Sequence, residues 1–131
     1  MTSATSRLGA TLVASVGIIA ALTTTASAAP AQPAENHYLQ FTNHAAYVAQ
    51  TCYHWLPTGV AGDYCHTNRR NGQTWRAYIP AQATSVEVSF DYAGGKYHQF
   101  DNRTLSNDRN WCYTLLGATQ NAYASGSGCP S

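Results

Sequence analysis

A reaction centre in this chain would have to be built from five histidines, His37, His44, His54, His66 and His98, and six carboxylates, Glu35, Asp63, Glu87, Asp91, Asp101 and Asp108. Their spacing gives them little to do. A zinc or copper site needs three or four converging N, O or S donors. His54 and His66 bracket Asp63, but no His-Glu-x-x-His or His-x-Glu pattern accompanies them, and the nearby cysteine sulfurs are expected to be consumed in disulfides. Serine, histidine and aspartate are all present, yet no Gly-x-Ser-x-Gly elbow gives them a catalytic context. Glu87 and Asp91 fall on one face of a strand-like segment, about 13 Å apart by strand rise, too far for the paired carboxylates of glycoside cleavage. Gly94-Gly95 reads as a turn, not a phosphate cradle. The chemistry-bearing residues therefore predict no enzyme, no metal and no cofactor, and leave His54 and Asp63 as a surface pair.

The cysteines carry more. Cys52, Cys65, Cys112 and Cys129 lie behind a segment that fits a secretory leader, residues 1–28. Arg7 precedes the apolar run Leu12 to Leu22, and Ala26-Ser27-Ala28 satisfies the A-x-A cleavage rule. The run is short of the roughly 20 residues that a bilayer span needs. Cleavage after Ala28 leaves 131 − 28 = 103 residues, enough for one domain with a thin stability margin. An even set of thiols in a short exported chain predicts two disulfides. The expected location is extracellular. Without Arg7 the six remaining cations balance the six acids. Nucleic acid and acidic membranes are excluded as partners, since both call for a clustered basic excess.

Those residues must be positioned by strands. Ala29-Pro30-Ala31-Gln32-Pro33-Ala34-Glu35-Asn36 has no apolar period and reads as an extended arm, residues 29–36, either a spacer or a docking peptide. From residue 37 the pattern becomes β. Tyr38 to Phe41 begins a first strand. Ala46 to Trp55 and Asp63 to Thr67 flank a turn at residues 57–62. Gln73 to Ile79 is a strand closed by Pro80. Ser85 to Tyr92 alternates apolar and polar with a period of two, which places Glu87 and Asp91 on a wet face. Gly94-Gly95 turns into a short return strand, residues 96–100. Residues 101–110 read as a polar loop, Asn102-Arg103-Thr104 included, Trp111 to Leu116 as a strand, and residues 118–131 as a small polar tail. With no helical period, the expected fold of residues 37–131 is a single all-β domain, a disulfide-stapled antiparallel β-sandwich or barrel.

Four cysteines allow three pairings. Cys52–Cys65 and Cys112–Cys129 are favoured because each closes a local loop. A hairpin joined at Cys52 and Cys65 sets Tyr53 opposite Tyr64 and His54 opposite Asp63, pairs that stabilise a sheet by about 0.2–1 kcal/mol each. The nine tyrosines and three tryptophans exceed what one small core needs, and Tyr and Trp favour recognition surfaces. Tyr53, Trp55 and Tyr64, near the first turn, are candidate contact residues as well as candidate packing. Trp75 and Trp111 are expected in the core.

These features predict a secreted, non-catalytic protein-binding module. Its expected contact residues are Ala29, Pro30, Pro33, Tyr38, Phe41, Tyr53, Trp55 and Tyr64, with the arm leading into an edge strand. An inhibitor of an extracellular protease or glycosidase, plugging an active site with residues 57–62, is an alternative. A carbohydrate-binding module with a polysaccharide partner is another. The A-x-A leader, the Pro/Ala arm, the strand-rich body and the four cysteines together resemble the small adaptor subunits of the secreted umbrella toxin particles of filamentous bacteria. Those subunits join a lectin-bearing subunit to the stalk of a large toxin. The resemblance implies that the arm and first strand engage one protein partner and the body another.

Overall fold

The computed structural model of the protein describes residues 36–131. The expected leader, and Ala29, Pro30 and Pro33 of the expected arm, lie outside the described residues. Eight strands form two four-stranded sheets and, among the described residues, there is no helix. The first sheet has the order β4 (Thr74–Tyr78), β1 (Tyr38–Asn43), β7 (Trp111–Leu116), β8 (Tyr123–Gly128). The second has the order β3 (Tyr64–Arg69), β2 (Ala49–Leu56), β5 (Ser85–Ala93), β6 (Tyr97–Ser106). The fold is the disulfide-stapled β-sandwich that the sequence predicts, antiparallel apart from the β1–β7 pair.

Strict alternation builds the core. Ala49, Thr51, Tyr53 and Trp55 of β2 point inward, as do Val86, Val88 and Phe90 of β5, while the residues between them face out. Phe41 sits at the centre, with Trp75, Phe90, Tyr53 and Tyr113 rings 5.7, 5.7, 6.0 and 6.3 Å from it. Edge-to-face and offset contacts of this kind add to plain burial. Apart from Arg69 Nε, which is buried without a hydrogen-bond partner among the described residues, the buried side-chain polar atoms are matched: Trp75 Nε1 donates to Thr51 Oγ1 at 2.9 Å, and Tyr53 Oη pairs with His66 Nδ1 at 2.9 Å. Buried Asn43 donates to the Tyr47 and Arg69 carbonyls and accepts from the Ala45 amide, each at 2.8 Å. It thereby pins the β1–β2 connection to the end of β3. Each open side of the sandwich is closed by an arginine over an aromatic ring, Arg69 on Trp75 at 5.7 Å and Arg103 on Tyr113 at 5.5 Å.

Several sequence expectations are corrected here. β1 is not an edge strand: it pairs with β4 on one side and β7 on the other, so its backbone has no free edge to offer. Residues 101–106 are not loop but the second half of β6, with Asn102, Arg103 and Thr104 paired to Ser89, Val88 and Glu87. The polar tail contains β8. Both missed segments are edge strands, which bury one face only in part and so lack a strong apolar signal. β2 starts at Ala49, since residues 44–48 form the connection tied down by Asn43. Asp91 is buried at 7 % exposure rather than wet. A bulge between Phe90 and Asp91 breaks the alternation, and Gln50 and Ser89 hydrogen-bond its carboxylate.

Candidate functional site: two outer sheet faces

Both disulfides are formed, Cys52–Cys65 and Cys112–Cys129, and no free cysteine is found among the described residues. Bonds of this kind persist in oxidising compartments. The first joins directly opposed residues of β2 and β3, and Tyr53 faces Tyr64 in the same register. His54 Nδ1 lies 2.7 Å from Asp63 Oδ2. The hydrogen bond to Asp63 raises the imidazole above its ordinary range, and its counterpart lowers the Asp63 carboxyl. Asp63 also accepts from the Trp55 amide, Thr58 Oγ1 approaches His54 Nε2 at 3.3 Å, and the Trp55 indole donates to the Gly62 carbonyl. Residues 57–63 are thus folded down onto the end of β2 by side-chain hydrogen bonds. His66 is turned away from this pair toward Tyr53, and burial, reinforced by Arg69, lowers its pKa.

The outer face of the β3-β2-β5-β6 sheet carries a groove of about 280 Å³. Its floor is the Cys52–Cys65 disulfide. Tyr64, Asp63 and His54 line one side, and Glu87, Ser89 and Asn102 the other. The strand register explains the grouping, because Cys65, Cys52, Ser89 and Asn102 form one row across four strands, while His54 and Glu87 are partners in the next.

The outer face of the β4-β1-β7-β8 sheet is different. Each strand turns three side chains out: Thr74, Arg76 and Tyr78 from β4, Tyr38, Gln40 and Thr42 from β1, Cys112, Thr114 and Leu116 from β7, Tyr123, Ser125 and Ser127 from β8. Arg76 is the one charge among them. Its guanidinium lies 4.2 Å over the Tyr38 ring and donates to Gln40 Oε1 at 2.8 Å. Tyr78 meets Tyr38 edge-on at 6.2 Å. Tyr78 and Tyr123 are the most exposed large hydrophobics among the described residues, at 57 % and 52 %. Residue 36, where the expected arm ends, leads directly into Tyr38.

Of the predicted contact residues, Phe41, Tyr53 and Trp55 are corrected: all are 1 % exposed or less, because they occupy inward positions of β1 and β2 and form the aromatic core. Tyr64, at 41 %, and half-buried Tyr38 stay accessible, on opposite sheets. Trp75 is core as expected, and Trp111 is partly buried against the core cluster. The sequence reading missed Arg76, Tyr78 and Tyr123 as one surface. Alternation of Thr74, Arg76 and Tyr78 was the available signal, but the partner strands that complete the face are not adjacent in sequence.

No family model matches the chain, and no curated protein does. Solved structures do. The membrane-binding domain of pneumolysin superposes with a TM-score of 0.56 at 14 % identity, covering 73 % of this chain and 99 % of that domain. Listeriolysin O gives 0.54 at 16 %, covering 72 % of this chain and 23 % of that one. A non-hemolytic pneumolysin from Streptococcus pneumoniae strain ST306 gives 0.52 at 17 %, covering 73 % and 24 %. The chain therefore spans about a quarter of the length of these whole toxins, and at such identities the likeness is one of fold.

Proposed function

We propose that this protein is a secreted, non-catalytic protein-binding module, an adaptor that holds subunits of an extracellular complex together. The observation that carries the reading is the outer β4-β1-β7-β8 face. Tyrosine, threonine and serine dominate it, one arginine is its only charge, and the tyrosines at two of its corners are exposed. Depletion of charge with enrichment of Tyr and Arg is the composition of a protein-contact surface. Tyrosine gives large contact area for two rotatable bonds, at low entropic cost. Residue 36 leads into the Tyr38–Arg76–Tyr78 corner, so a partner that takes residues 29–36 as a peptide can hold the sheet face with it. Because β1 is internal, the arm works as an inserted peptide and not by strand addition at β1.

The pneumolysin domain with the same fold is a membrane-binding domain, a part given over to contact, which fits a sandwich used for recognition. An adaptor of the umbrella toxin type matches this layout, with the arm in one subunit and the body against another. The test is affinity purification of the protein from its own culture supernatant, followed by reconstitution with the purified partner. Wild-type protein is expected to bring down a defined large polypeptide. Deleting residues 29–35, or combining Arg76→Glu with Tyr78→Ala, is expected to abolish capture while the circular dichroism spectrum stays unchanged. Undiminished capture by both variants, or binding to liposomes alone, overturns the reading.

A further inference from the structure

We propose that the groove on the β3-β2-β5-β6 face is a second recognition site, for the hydroxyl groups of a neutral saccharide. This is independent of the adaptor reading, which uses the opposite face. The groove, about 280 Å³, has room for one sugar ring with its substituents. Its polar groups mix donors and acceptors. Glu87 offers a carboxylate and Asn102 a carboxamide, and neither side chain is hydrogen-bonded to another described residue. Ser89 adds a hydroxyl, though it is shared with Asp91 at 3.3 Å. Vicinal diols are held by this combination, each hydroxyl giving one hydrogen bond and taking another.

The rest of the lining favours a sugar over a charged ligand. His54 and Asp63 bond each other across one wall at 2.7 Å. That leaves Glu87 as the single carboxylate without a partner, and His54 is its cross-strand neighbour. The floor is disulfide sulfur, apolar and fixed by the hairpin. Tyr64 is the register partner of inward-facing Tyr53 and packs its ring on Tyr53 and Trp55 at 5.0 and 6.0 Å, so the apolar surface open to the C–H side of a sugar is the disulfide itself. Concave shape, apolar floor and a few convergent polar groups are the marks of a small-molecule site.

The experiment is a nitrogen–proton correlation titration of the exported form with glucose, galactose, mannose and N-acetylglucosamine, and with putrescine as a primary-amine probe. One or more sugars should shift the amides of His54, Glu87, Ser89 and Asn102 with millimolar affinity. Glu87→Gln and Asn102→Ala should each weaken that binding about tenfold, some 1.4 kcal/mol, with dispersed spectra showing an intact fold. Lys96→Ala, on the β5–β6 turn, should not change it. Absence of shifts with every sugar, shifts confined to the other sheet, unaltered affinity in both groove variants, or a response to putrescine only would each overturn the proposal.

Discussion

His54 and His66 are two imidazoles on neighbouring strands with opposite environments. Asp63 hydrogen-bonds His54 and raises its pKa, whereas burial lowers that of His66. The linkage signs follow. A raised His54 contributes stability that is fully present below its ordinary value of 6.5 and is lost as pH rises through the higher folded value. A depressed His66 acts in reverse, withdrawing stability as pH falls from 6.5 toward its lower folded value. The first effect is local, since His54 and Asp63 hold residues 57–63 through exposed contacts that solvent screens. Imidazole NMR should therefore show His54 titrating above 6.5 and His66 below it. Asp63→Asn should return His54 to the ordinary range and speed amide exchange in residues 57–63, with His66 unmoved. Coincident titration of the two histidines would refute the assignment of their environments.

At the scale of elements, β8 is the informative case. Its sequence, Tyr-Ala-Ser-Gly-Ser-Gly, reads as a linker, yet it forms a paired edge strand. Gly126 explains the composition. A Cβ there would stand 2.1 Å from the Cys112 carbonyl oxygen and 2.7 Å from Tyr113 Cα, both backbone-fixed. At this position β8 lies too close to β7 to carry a side chain. Gly126→Ala should destabilise the protein by about 3 kcal/mol, the upper range for overpacking, read as a lower urea midpoint. The Cys112–Cys129 link should keep the displaced strand attached. A midpoint within error of wild type would mean that β7 and β8 can separate without cost. The same physics sets what was legible in advance. β5 and β2 were visible because burial on one face imposes a period of two. The β2–β3 register from Thr51 to Tyr53 was visible because a cysteine pair fixes its neighbours in a hairpin, and it slips only at the bulge between Ala49 and Thr51. The second half of β6 and all of β8 were hidden because an edge strand owes its pairing to its neighbour more than to its own apolar residues. The groove is hidden with them, since Asn102 reads as loop in the sequence and only the β5–β6 pairing brings it beside Ser89.

The whole molecule is one core between two outer sheet faces, and β1 shows where that core begins. The first anchoring contacts among the described residues are the Ile79 amide to the His37 carbonyl at 2.7 Å, His37 Nδ1 to Asn107 Oδ1 at 3.1 Å and the Tyr38 amide to Asn110 Oδ1 at 3.0 Å. Every buried core residue among the described residues lies C-terminal to them. A chain beginning at residue 36 therefore keeps every one of these core residues, and scanning calorimetry should find its midpoint within about 2 °C of the longer form, a difference well under 1 kcal/mol for a domain of this size. A chain beginning at residue 42 loses Leu39 and Phe41, both fully buried, from the strand that joins β4 to β7. Removing such side chains costs roughly 2–5 kcal/mol apiece, comparable with the whole stability of a small domain. No cooperative transition should remain, even with both disulfides intact. A cooperative transition in the chain that begins at residue 42 would show that β4 and β7 can close the sheet without β1.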